Sequence, residues 1–131
     1  MTSVVIGVIS VFVLAFPASV FAQGGRLAIS STQRTVTVGE IFNVELRIDS
    51  GEQAINVAEV EMSFSSREVQ VTEISKRGSL VAVWIEDPTY DNTRGILRLS
   101  GGLPAPGFFG SEGLLVTVSF RARVTGTTSL R

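Results

Sequence analysis

The chain is predicted to be all-β, a two-layer sandwich or a barrel, on three observations. Phe42, Val44, Leu46 and Ile48 alternate with Asn43, Glu45, Arg47 and Asp49, which gives one dry face and one wet face with a period of two. Similar runs recur about eight or nine times, separated by Gly, Pro, Asp and Ser clusters at spacings of about 8–12 residues. No run carries the longer helical period over a length that a parallel-sheet crossover needs.

Residues Thr2 to Ala22 differ from everything after them. Val4 to Phe16 is almost wholly apolar, and Pro17-Ala18-Ser19-Val20-Phe21-Ala22 follows. Small Ala22, with Val20 two positions before it, fits a signal-peptidase site, so residues 1–22 read as a signal peptide and Gln23 as the mature start. No Lys or Arg precedes the apolar run. The competing reading is an uncleaved anchor, because Val4 to Ala22 approaches the roughly 20 residues that span a bilayer. Either reading exports residues 23–131 as one domain, secreted or held at the cell surface.

From Gln23 the elements come in order. Leu27, Ile29, Val36 and Val38 mark a first strand or pair, and Gly39-Glu40 turns the chain into the Phe42–Ile48 strand. Asp49-Ser50-Gly51-Glu52 closes that strand. Ala58, Val60, Met62 and Phe64 then alternate with Val57, Glu59, Glu61 and Ser63. Ser65-Ser66-Arg67-Glu68 is a turn into Val69, Val71 and Ile74. Gly78 to Ile85 reads as a short helix or an irregular wall, and Asp87 to Asn92 as a polar loop, with Pro88 keeping Asp87 out of helical geometry. Leu97 and Leu99 alternate with Arg98 and Ser100. The crossing SGGLPAPGFFGSEG follows, too rich in Gly and Pro for a regular element. Leu114, Val116, Val118, Phe120, Ala122 and Val124 form the cleanest alternation, against Leu115, Thr117, Ser119, Arg121 and Arg123. Thr127 to Arg131 starts one more strand and stops, so the domain is expected to be truncated at its C-terminal end.

Composition narrows the function. The formal net charge is -1, and the sequence contains no Cys and no His. The sequence pI of about 5.4 argues against a nucleic-acid surface, which shows a basic face. Without Cys there is no disulfide framework and no thiolate metal site. Without His the commonest general base and transition-metal ligand are missing, so catalysis would fall to carboxylates, Lys76, Tyr90 or hydroxyls. The expectation is a protein that is not an enzyme.

Read together, these motifs resemble the cohesin domain, the scaffold-protein module of cellulosomes that binds dockerin modules. The likeness runs from about Leu27 to Arg131. It rests on Val38-Gly39-Glu40-Ile41-Phe42-Asn43-Val44, on Val60-Glu61-Met62-Ser63-Phe64-Ser65-Ser66 leading into Val69-Gln70-Val71, on the SGGLPAPGFFG crossing, and on Leu114 to Val124 with Gly126-Thr127-Thr128. The resemblance implies a jelly-roll β-sandwich of about nine strands, related to cellulose-binding modules, on an exported protein associated with polysaccharide-degrading assemblies. The sequence departs from the family where Ser65-Ser66 replace its usual Asp-Pro pair, and where the ninth strand is cut short.

The same resemblance points to a binding face. In cohesins the dockerin lies on one sheet face and a carboxylate in the strand matching Val57 to Phe64 takes part, which corresponds most nearly to Glu59. The family's aromatic contact residue corresponds loosely to Tyr90. With Glu61 and the outward residues Thr117, Ser119 and Arg121, these are the expected partner-binding residues, and Arg121 and Arg123 are expected beside Glu59 and Glu61. As catalytic carboxylates Glu59 and Glu61 are badly placed. They sit roughly 6.5–7 Å apart on one strand and point in parallel rather than across a cleft. Glu86, Asp87, Asp91 and Asn92 gather oxygens without the spacing of a calcium loop, so no cofactor is expected and calcium is a weak alternative. A direct carbohydrate-binding module, or a structural domain of an adhesive surface protein, are the other functional readings. The first needs a planar row of aromatics, for which Trp84 and Tyr90 are the candidates. Trp84 is expected to fill core, and of Phe108 and Phe109 one is expected to cap the end of the sandwich and the other to contribute to a contact patch.

Overall fold

Alternation fixes which side chains face inward, and pairing then stacks the strands into two sheets. The computed structural model describes residues 5–8, 26–31 and 35–123. Its strands are β1 (Val5–Val8), β2 (Arg26–Ser31), β3 (Thr35–Thr37), β4 (Ile41–Asp49), β5 (Val57–Ser63), β6 (Val69–Ser75), β7 (Val83–Asp91), β8 (Ile96–Gly102) and β9 (Gly113–Ala122). One sheet has the order β2-β4-β9-β6 and the other β5-β8-β7, while β1 and β3 form a separate two-stranded ladder. All pairs are antiparallel. Among the described residues the sandwich holds seven strands, against about nine expected. The strand expected at Thr127–Arg131 and the cleavage site after Ala22 lie outside the described residues. No helix long and apolar enough to cross a membrane occurs among the described residues.

The inward side chains of the two sheets form one core. Phe42, Leu46, Ile48, Val118 and Phe120 come from the larger sheet, and Val60, Met62, Leu97 and Leu99 from the smaller. Phe120 stacks on Phe42 at 5.7 Å and meets Phe64 edge-on at 5.5 Å, so one ring joins β9, β4 and the end of β5. At the opposite end the crossing closes the sandwich. Phe108 pairs with Ile55 through backbone hydrogen bonds in both directions and packs on the core, while Phe109 is 67% exposed. Phe108 is thus the ring that caps the sandwich.

Three local expectations are refined by how the strands pair. The β4–β9 register jumps between Leu46↔Val116 and Arg47↔Leu114, so Leu115 is the extra residue of a bulge. Leu115, not Leu114, is therefore buried, and Leu114 lies under the segment where the Leu80 N–H donates to its carbonyl at 2.9 Å. Of the two readings for Gly78 to Ile85, the irregular wall holds over Gly78 to Ala82, and Val83 already enters β7, which continues through the expected polar loop to Asp91. Pro88 is tolerated there because β7 is an edge strand and the proline falls in the register gap between Glu86 and Thr89. Finally, β8 extends through Gly101 and Gly102, two glycines of the crossing. Val81 packs so closely over Gly101 that an added Cβ would lie 2.6 Å from its Cγ1.

Candidate functional site

Because β8 is central in the smaller sheet, its register aligns outward residues in rows across three strands. The first row is Val57, Gly102 and Val83; the second is Glu59, Ser100 and Glu86. The third is Glu61, Arg98 and Thr89, and the fourth is Ser63, Ile96 and Asp91. The first row is apolar and open, with Val57 42% and Val83 64% exposed around a glycine that has no side chain to cover them. Ile85, the extra residue in the bulge between Trp84 and Glu86, is likewise 64% exposed. An exposed apolar group of this kind beside a polar field is the usual composition of a protein-docking surface.

Below it the face becomes charged. Arg98 Nε donates to Glu61 Oε2 at 2.6 Å, and Lys76 Nζ to Asp87 Oδ1 at 3.1 Å. Glu59 and Glu86 have no ion-pair partner among the described residues. Of the four residues that gather oxygens here, Asp87, Asp91 and Asn92 are engaged in structure and Glu86 is not. Asp91 Oδ1 accepts from the Thr93 and Arg94 amides and shapes the β7–β8 turn. Asn92 accepts from the Val71 amide at 2.7 Å and donates to its carbonyl at 2.9 Å, capping the free edge of β6 as a strand would. Among the described residues no three His, Cys, Asp or Glu side chains gather around a metal-sized space.

The structure divides the residues expected to bind a partner. Glu59 and Glu61 share the outer face of the smaller sheet. Tyr90 pairs with buried Leu97, so the bulges of β7 give it the inward parity. At the sheet edge it stays 43% exposed and lines a shallow hollow of about 110 Å³ with Thr89, Arg94 and Arg98. Thr117, Ser119 and Arg121 belong to β9 and lie on the outer face of the larger sheet, on the far side of the sandwich. Arg121 and Arg123 are therefore not neighbours of Glu59 and Glu61; local alternation identifies outward residues but not which sheet carries them. Nothing in the local pattern marks Ser100, and Glu86 stands out there only as one of a cluster of oxygens. Their place beside Glu59 depends on strand pairing, which no local pattern announces.

Trp84 is half-buried against the core, and the Lys76 ammonium stands 5.5 Å from its ring centroid. One ring face thus carries its own cation, in line with the expected packing role.

No family model and no curated protein sequence matches the chain. Solved structures do. The second type II cohesin module from the adaptor ScaA scaffoldin of Acetivibrio cellulolyticus matches with a TM-score of 0.61 at 17% identity, over 81% of this chain and 69% of that one. A type II cohesin–X-dockerin complex from the same organism gives 0.58 at 14% identity, over 81% and 75%. The cohesin module of a family 33 glycoside hydrolase from Clostridium perfringens gives 0.53 at 16%, over 81% and 73%. At these identities the likeness is one of fold, and it agrees with the resemblance carried by the sequence motifs: the chain has the cohesin fold.

Proposed function

We propose that the protein is an exported, non-catalytic recognition module that binds a dockerin-like protein module through the outer face of the β5-β8-β7 sheet. The observation that carries this reading is the apolar row on that face, where Val57, Val83 and Ile85 stand in solvent around Gly102. A docked partner would bury them, and the charged rows beside them would form its polar rim. A structure of similar fold is a cohesin in complex with an X-dockerin, which supports a protein partner of that class. Export follows from the signal-like segment before Gln23. Association with polysaccharide-degrading assemblies is in keeping with similar folds found in a scaffoldin and in a glycoside hydrolase.

Direct sugar binding has less support. Trp84 is packed, and the well-exposed aromatics among the described residues, Tyr90 and Phe109, sit on the β7 edge and in the crossing rather than in one planar row. The test is retention on immobilised dockerin modules, the Acetivibrio cellulolyticus X-dockerin among them, against retention on cellulose. Dockerin should hold the protein and cellulose should not. Retention on cellulose that disappears in Trp84→Ala or Tyr90→Ala would replace this reading with a carbohydrate-binding one.

A further inference from the structure

Two polar residues are buried among the described residues, and they are treated differently. Ser50 Oγ accepts from the Gly110 amide at 2.9 Å and lies 3.4 Å from the Gly51 carbonyl, to which it donates. Ser100 is only 6% exposed, yet its hydroxyl has no hydrogen-bond partner among the described residues. Buried polar groups are nearly always paired, so this one asks for an explanation. Register places Ser100 at the centre of the open face, with Glu59 on one flank and Glu86 on the other.

We propose that the row Glu59–Ser100–Glu86 is a subsite for one basic side chain, lysine or arginine, of the protein that docks on this face; the inference rests on the docking reading above. Carboxylates only accept hydrogen bonds, and a hydroxyl accepts as well as donates, so the row calls for a ligand made of donors. Glu59 and Glu86 start from strands two spacings apart, about 9–10 Å, on either side of Ser100, a gap that two flexible side chains can close on one cation. A single ammonium or guanidinium between them meets both carboxylates and the hydroxyl. The adjacent row shows the same arrangement completed internally, because there the β5 carboxylate, Glu61, is answered by Arg98 on β8. One row along, β8 offers serine in place of arginine and β7 adds a second carboxylate. The cation for that row comes from outside the chain.

The test uses blocked lysine, Nα-acetyl-lysinamide, titrated into the isotope-labelled protein while backbone amide shifts are followed, with Nα-acetyl-norleucinamide as the uncharged control. Shifts should concentrate on residues 59, 86 and 99–101 and saturate, and the norleucine analogue should leave them unchanged. Apparent affinity should fall at least tenfold in the Glu59→Gln/Glu86→Gln double variant and stay as in the parent in Glu61→Gln, both variants keeping the parent spectrum elsewhere. Shifts spread evenly over surface carboxylates, or unchanged in the double variant, would overturn the subsite, as would tight calcium binding to the same row. A dockerin retained equally by parent and double variant would also overturn it and leave the docking reading standing. Blocked lysine filling the row with no dockerin retained would leave the subsite and remove the docking reading.

Discussion

On the outer face of the β2-β4-β9-β6 sheet, Arg47 meets Glu45 at 2.9 Å and donates to the Glu112 carbonyl at 2.7 Å, and Ser119 Oγ donates to Asn43 Oδ1 at 2.7 Å. Thr72 Oγ1 adds a bond to the Ser119 carbonyl, and Arg121 one to that of Gly39. On the outer face of the β5-β8-β7 sheet, two valines and an isoleucine stand in solvent, and Glu59, Ser100 and Glu86 have no side-chain partners among the described residues. Both faces arise from the same alternation of apolar and polar residues, yet the larger sheet directs these polar groups to neighbours within the fold, whereas the smaller pairs Arg98 with Glu61 and leaves Glu59, Ser100 and Glu86 free among the described residues. A knitted face resists docking, since a partner would have to displace bonds already made and offer better ones. An open face gains hydrogen bonds and apolar burial that folding left unmade.

The comparison is broken at its root by removing what both faces share. Phe120 lies between Phe42 and Phe64 and is fully buried. Phe120→Ala should cost about 3–5 kcal/mol, the range for truncating a buried aromatic, and partner binding should disappear with the fold. Urea unfolding followed by tryptophan fluorescence measures the loss. A cost below about 1 kcal/mol, the range of surface changes, would mean that the two sheets are not held by this ring.

Val83→Asp separates the faces. Its side chain is 64% exposed on an edge strand, so stability should move by no more than about 0.5 kcal/mol. Placing a carboxylate in the apolar row should weaken dockerin binding at least tenfold, about 1.4 kcal/mol. Calorimetric titration reads the affinity, and an unchanged value would remove the apolar row from the docking surface.

How far the sequence discloses this difference depends on range. The inward faces of β4 and β5 are legible because their alternation is uninterrupted, and the burial follows it residue by residue. Bulges hide the rest. Leu115 takes the inward place expected of Leu114, and Thr72 widens the Val71-to-Ile74 spacing in β6. Asp87-Pro88-Thr89-Tyr90 reads as a loop because Pro and Asp are turn formers. An edge strand accepts both, since its outer donors need no sheet partner. The candidate site was half visible. Glu59 and Glu61 announce themselves as outward carboxylates. The reason Glu59 differs from Glu61 lies in what β8 places beside each, Ser100 or Arg98, and that is a matter of register between strands 37 positions apart in the Arg98–Glu61 pair.

The smallest effect sharpens the comparison from the knitted side. Ser119→Ala removes the hydroxyl that donates to Asn43 and leaves the backbone pairing of β9 with β4 and β6 in place. The site is partly open to water, which can take over the Asn43 oxygen, so the cost should stay near 0.5–1 kcal/mol, the lower part of the usual hydrogen-bond range. Affinity for dockerin should not change, because this residue and the proposed docking face are on opposite sides of the core. Measured together with Val83→Asp, the two variants should behave reciprocally, one lowering stability without affinity and the other affinity without stability. A loss of dockerin affinity in Ser119→Ala with unaltered unfolding would invert the assignment: the hydrogen bonds on the larger sheet would then be ones that a partner exchanges, and Thr117, Ser119 and Arg121 would be the docking residues.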